Sequence, residues 1–372
     1  IPHIYIDIKF KHYLKLLKSR EEALARGFKV TGSYIPAKIR HQGETHKIKL
    51  RLKGDLPDHW EGDKWSFRIH MKGKGHLFGM RRFSLQSPKT RGYEGEIIFF
   101  EALKREGILT PRYFFVDLTV NGNNVGVMAF EEHFSKELLE SQERKESVIL
   151  KLDDSNFFMD GMAGPFDNFM NNLIRPFGSK KIGKSKELAM YLEISTGLLR
   201  GFMDGTLSSS QVFDAELMGR YLAVASIWGA EHATGWTNIR FYYNPITGKL
   251  EPVGYDANLR YFKRKPMDLP DTPFANAILQ SDLDIRPVYE ATLKKLKDEA
   301  EQGITEAWVR PLQNRNLKIL HKEFPLLGGI NLFGMSRVAS ISLNASKASL
   351  EQYRKILTAH LIEDEKYIEL VN

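Results

Sequence analysis

The chain has 372 residues, 42% apolar and 11% aromatic, with 54 Lys and Arg against 46 Asp and Glu and no cysteine. That profile excludes disordered and collagen-like chains, and the missing Cys excludes disulfide scaffolds, thiol nucleophiles, iron–sulfur clusters and cysteine-ligated zinc. The net charge of +8 is uneven: residues 1–90 hold 20 Lys and Arg against 8 Asp and Glu, or +12, which leaves 34 against 38, or −4, for the rest.

In chain order, residues 9–26 read as an amphipathic helix with Phe10, Tyr13, Leu14, Leu17 and Leu24 on its packed face and Gly27 as its stop. Lysines and arginines fill the remaining surface, which suits a solvated face; a membrane-surface helix is the alternative. The period then changes to two. Ile48, Leu50 and Leu52 alternate with Lys47, Lys49, Arg51 and Lys53, and after a turn-rich stretch Trp65, Phe67, Ile69 and Met71 alternate with Lys64, Arg68 and His70. A third strand spans 82–86, a helix 93–106, and two more strands, 113–120 and 125–130, flank Asn121-Gly122. The pattern beyond is mainly helical, with the clearest helix over 212–227 behind Ser208–Ser210, a hairpin over 239–255, and a closing helix near 347–367.

Asn238 and Asp256 lie on the two sides of that second hairpin. A hard divalent cation between triphosphate oxygens needs a carboxylate and a neutral oxygen, which this pair supplies; as plain structure, Asn238 starts a strand and Asp256 caps a turn. Glu231 and His232 are the titratable residues just before Asn238, placed to accept a substrate proton or to serve as a helix end and a packed imidazole. Lys53 and Gly54 form a loop, and Lys64 and Arg68 a cationic face, suited to phosphate oxygens or simply to water. Glu94 or Glu96, early in the following helix, is placed to orient one of these cations by an ion pair, or to be a solvated first-turn carboxylate. Gly178–Ser185 matches the G-x-x-x-x-G-K-S phosphate-loop pattern, but the polar, proline-broken 171–177 before it is not the buried strand that such a loop follows. No H-E-x-x-H, G-x-S-x-G or EF-hand pattern occurs, so metalloprotease and nucleophile-elbow chemistry has no support.

From about Ile48 to Tyr261 a collinear set of blocks resembles the spore coat protein H (CotH-like) kinases, an atypical secretory kinase family. The set comprises Arg51-Leu52-Lys53-Gly54-Asp55, Lys64-Trp65-Ser66-Phe67-Arg68-Ile69, Val120–Val127 with Phe130-Glu131-Glu132, and Asn238–Tyr243 with Gly248–Asp256. The resemblance implies an α+β, bilobal protein-kinase-like fold with a small antiparallel-sheet N-lobe over 1–130. The mostly helical C-lobe over 131–372 would carry the catalytic-loop and metal hairpin at 229–258. It implies ATP and Mg²⁺ or Mn²⁺ as cofactors, with Asn238 and Asp256 on the metal and Glu131 near the adenine at the hinge. Two positions depart from the family: Glu231 and His232 stand where it carries an Asp base, and Asn258 stands where it carries a second acid.

The expected function is therefore an ATP- and metal-dependent phosphotransferase acting on protein acceptors outside the cytoplasm, not on nucleic acid. Alternatives are a nucleotide-binding pseudokinase, or an enzyme of the same fold transferring AMP or ligating glutamate. No run approaches the about 18 apolar residues of a membrane span, so membrane attachment is expected only through an anchor upstream of Ile1.

Overall fold

The computed structural model describes residues 1–28, 32–153, 172–259, 272–281, 284–332, 334–348 and 351. Seven strands close into one mixed barrel in the order β1-β2-β3-β4-β5-β7-β6. They are β1 (His3–Asp7), β2 (Ile35–His41), β3 (Glu44–Leu52), β4 (Phe67–Met71), β5 (Arg82–Gln86), β6 (Tyr113–Val120) and β7 (Asn123–Glu132). All neighbours run antiparallel except β1 and β6, whose parallel pairing sets His3 opposite Asp117 and Ile6 opposite Val120.

This ring corrects the expected bilobal kinase-like fold with its small N-lobe sheet. The five strands read from the alternation exist as β3 to β7, but β1 and β2 join them into a closed barrel with no free edge. The physical reason is at the start of the chain, where Ile4, Ile6 and Ile8 alternate into the barrel core with Ile35 and Ile39 of β2. Closure then depends on pairing β1 with β6, a non-local contact that no local periodicity announces.

The barrel interior is filled by the inward residues of every strand, among them Leu50, Ile69, Phe83, Val116 and Phe130. Helix α1 (Phe10–Arg26) packs against this cluster through Leu16, with Tyr13 stacked on Trp65 at 5.9 Å between ring centroids. The face expected to pack is therefore corrected: Leu16 and Ala23 are buried, whereas Phe10, Leu14 and Leu24 are exposed.

The outward residues Tyr113, Phe115, Val127 and Ala129 of β6 and β7 belong to a second core shared with the helices. That core includes Ile98 and Leu103 of α2 (Gly95–Arg105) and, beyond α3 (Lys136–Glu140), residues of the helical half. The latter holds α4 (Ser179–Ile182), α5 (Lys186–Met203), α6 (Ser209–Val212), α7 (Ala215–Trp228) and α8 (Glu231–Thr234), then α9 (Pro273–Ser281), α10 (Ile285–Glu301) and α11 (Ile304–Leu320). Ser208 forms a capping box with Gln211 on the short α6, while Asp214 caps the long buried α7, whose last turn ends at Gly229 in left-handed backbone.

A second antiparallel sheet, ordered β11-β10-β8-β9, contains β8 (Ile149–Leu152), β9 (Ile174–Pro176), β10 (Arg240–Asn244) and β11 (Lys249–Val253). The strand before the phosphate-loop match is thus three residues long and not buried, and Lys181 within the match pairs with Glu146. Most of the expected helix at 347–367 lies outside the described residues.

Candidate functional site

The site lies on the outer face of the barrel, where alternation turns every second residue of the core strands outward. The register sets Arg51 opposite Arg68, Arg68 opposite Ser84 and Ser84 opposite Glu131, so one polar row crosses β3, β4, β5 and β7. Lys53, just beyond β3, continues the outward phase, and its Nζ donates to Gln86 Oε1 at 2.5 Å and to the Glu131 oxygens at 2.9 and 2.7 Å. Gln86 in turn donates to Glu131 Oε2 at 2.6 Å. Burial pushes the Lys53 ammonium down to about 8, partly opposed by Glu131. Burial acts to raise Glu131, but Lys53 and Arg91 outweigh it and hold the carboxyl below its ordinary range, so the pair is ionised at neutral pH.

Arg91, in the short helical turn after β5, links this pair to the second hairpin. Its Nη1 lies 2.5 Å from Asp256 Oδ2, its Nε 3.9 Å from Glu131 Oε2, and its Nη2 donates to Tyr255 Oη at 3.0 Å. Burial opposes the guanidinium charge, but Asp256, Tyr255, Glu131 and Glu96 more than restore it. Asp256 is 6% exposed. Burial would raise its carboxyl, yet Arg91 and then His232 hold it well below the usual carboxylate range. Its Oδ1 is buried and has no hydrogen-bond partner among the described residues.

The backbone that delivers Asp256 is itself unusual. Asp256 and Asn258 have φ of 51° and 43°, the left-handed region that side chains rarely adopt outside special sites. Glu96 in the first turn of α2 holds this segment by accepting the Asp256 N–H at 2.8 Å and the Ala257 N–H at 2.9 Å. Burial, with Asp256 and Glu131 nearby, pushes the Glu96 carboxyl upward. The segment fits because Gly92 has no side chain: a Cβ there would lie 2.7 Å from the Leu259 carbonyl oxygen.

His232, half-exposed at the short α8, brings Nε2 to 3.5 Å from Asp256 Oδ2 and 3.1 Å from Asn238 Nδ2. Nε2 can accept from Asn238 when unprotonated or donate toward Asp256 when protonated, so one proton decides which neighbour it serves. Asn238 Nδ2 also donates to the His232 carbonyl at 3.1 Å.

The sequence-predicted residues therefore divide. Lys53, Glu131, His232, Asn238 and Asp256 come together, and Arg68 stands one rung away with Nη1 2.7 Å from His133 Nδ1. Gly54 has φ of 89° and a Cβ there would run into the His59 ring, so it shapes the loop over the buried His59. Lys64 is committed elsewhere, to Glu323 at 2.7 Å and to the Val125 and Val127 carbonyls. Glu94 is buried before α2, but it is Glu96 that reaches the hairpin. Glu231 is half-exposed at the start of α8, and the contacts to Asp256 come from His232 instead. Glu131, expected at an adenine hinge, spends its oxygens on Lys53 and Gln86. Sequence reasoning missed Gln86 and Arg91; the outward phase of β5 signals the first, and no local pattern signals the second.

Among the described residues, no group of three or more His, Asp or Glu side chains is gathered as a metal cage. The oxygen that fits a hard divalent cation is Asp256 Oδ1, buried and unpartnered among the described residues; Asn238, which shares His232 as a neighbour with Asp256, carries the neutral oxygen, and phosphate oxygens or water would complete a shell. In comparisons with known proteins, no family model matches the chain and no curated protein matches it.

Proposed function

We propose that the chain is an ATP- and divalent-metal-dependent phosphotransferase acting on protein acceptors outside the cytoplasm. The observation that carries this reading is the Asp256 carboxylate, buried, held in left-handed backbone and left with an unpartnered Oδ1 beside the buried cations Arg91 and Lys53. Such a pocket suits an anion and a divalent ion arriving together, because phosphate oxygens answer the cations while the metal answers the orphaned oxygen. A divalent cation on Asp256 and Asn238 would neutralise charge between phosphate oxygens.

The chain's own residues supply the rest. Lys53 and Arg68 bind phosphate oxygens, and Arg91 holds Asp256 in place. Half-exposed His232, with its Nε2 lone pair, takes the proton from the acceptor hydroxyl. The collinear blocks that resemble spore coat protein H kinases support the same chemistry, here carried on a barrel.

The test is labelled-phosphate transfer from γ-labelled ATP with Mg²⁺ or Mn²⁺, wild type beside Asp256→Asn. Loss of at least about 100-fold is expected, and unchanged metal-dependent turnover in the variant sinks the reading. One contact favours a second reading, nucleotide binding without transfer: Arg91 already occupies Asp256 Oδ2. Thermal stabilisation by ATP with no labelled product would select it.

A further inference from the structure

We propose that α1 is an interfacial helix that seats the protein on an anionic lipid surface. The reasoning begins with the face that does not pack. Phe10, Leu14 and Leu24 are 74%, 46% and 39% exposed. With half-buried Leu17 they fall along one side of the helix at spacings of three, four and seven residues. At 17 residues α1 is about 25 Å long; the stripe is continuous from Phe10 through Leu14 to Leu17, and exposed Glu21 stands between it and Leu24. The buried side is a different one, centred on Leu16 and Ala23.

Charge identifies the occupant. From Lys9 to Arg20 the chain holds Lys9, Lys11, Lys15, Lys18 and Arg20 and no acidic residue, and all four lysines are exposed; exposed Glu21 and Glu22 follow, with Glu22 4.0 Å from Lys18. Lys11, Lys15 and Lys18 line one flank of the stripe. On the other flank Tyr13 stacks on half-buried Trp65, and the Arg20 guanidinium lies 4.9 Å from the centre of the Trp65 ring. Apolar side chains rimmed by long cationic ones, with an aromatic pair alongside, match the boundary between headgroups and acyl chains, where lysine stems reach up to the phosphates. The stripe is a convex ridge rather than a groove, which suits a deformable planar surface. Pairing it with the same face of a second copy would set the lysine rows against each other. No helix among the described residues is long and apolar enough to cross a membrane, so α1 lies on the surface rather than through it.

The experiment is co-sedimentation of the full chain with vesicles of phosphatidylcholine alone and of phosphatidylcholine with phosphatidylglycerol, at low and high salt. Binding to the anionic vesicles only, weakened by salt, is expected. Phe10→Ser with Leu14→Ser should lower the partition by at least about tenfold without moving the thermal midpoint, because both side chains are already in solvent. Lys11→Glu, Lys15→Glu and Lys18→Glu should each lower it by about fivefold. No binding to anionic vesicles, equal binding to neutral ones, or binding indifferent to the apolar pair overturns the proposal. So does a wild-type dimer that the apolar substitutions disperse without any vesicle binding. The outcome is independent of phosphate transfer.

Discussion

Along β3, β4 and β5 the same backbone builds two surfaces that obey different rules. Inward, Ile48, Leu50, Leu52, Phe67, Ile69, Phe83 and Leu85 are all buried in one apolar cluster. Outward, Lys49 faces His70, Arg51 faces Arg68, and His70 faces Arg82, so one rung sets two like charges directly opposite and two rungs set a cation against an imidazole. The Arg51 and Arg68 charges destabilise the sheet where they oppose, and burial with Arg82, Lys49, Arg68 and Arg51 around it drives His70 down to about 3, leaving it neutral. The inner surface is what folding needs; on the outer one the Arg51–Arg68 rung works against folding, while Tyr34 answers its neighbours by bonding His70 at 2.9 Å and lying under Lys49.

The largest effects should come from breaking each surface at its most buried point. Phe83→Ala should cost about 3 to 5 kcal/mol through the cavity it leaves in the barrel. Glu131→Ala should cost about as much, about 3 to 5 kcal/mol, because Lys53 then sits buried without a counter-charge. Denaturant unfolding of both variants checks these values. The contrast sharpens with the double variant Lys53→Met and Glu131→Leu, for which stability within about 1 kcal/mol of wild type or above it is expected, together with lost phosphate transfer. A double variant as unstable as Glu131→Ala would make the seam a structural device after all.

A smaller effect belongs to the loop. Gly54→Ala should cost about 1 to 3 kcal/mol, since the left-handed backbone and the His59 ring both oppose a Cβ; the shift in thermal midpoint reads it. The smallest effect is a slope. His70 at about 3, with His59 and His133 well below their ordinary 6.5, stays neutral in the fold while the unfolded chain takes up protons. Stability is therefore present above pH 6.5 and lost as pH falls from there toward 3, and His70→Gln should remove up to one proton from that slope in an acid titration of unfolding. An unchanged slope would mean that the cationic rungs do not press on His70.

Alternation made β3 to β7 legible, because one residue in two must face the core. It also marked the outward phase that carries Lys53 and Arg68. What it left dark was everything set by distant pairing. The closure through β1 and β6 is one case. The packed face of α1 is another, decided by where Leu16 meets the barrel rather than by which stripe of the helix is most apolar. At the site, Asn238 and Asp256 stood out because an amide and a carboxylate flank a hairpin. Arg91 did not, since its role comes from a turn that carries it across to Asp256, and Glu96 was separable from Glu94 only by the two N–H groups that it receives.

The parallel seam between β1 and β6 also bears on how the chain reaches this fold. Its partners, such as His3 and Thr119, are 116 residues apart in sequence yet joined side chain to side chain at 2.9 Å. The β2-β3, β3-β4, β4-β5 and β6-β7 hairpins can form from neighbours, but β5 must reach β7 past α2 and β6, and the ring closes only when the first strand meets one made far later. Loop-closure entropy then weighs most on that last, longest-range step. During synthesis β1 must wait, unpaired along one side, until β6 has emerged, so closure is the expected slow phase of folding and β1 the segment most open to mispairing before it.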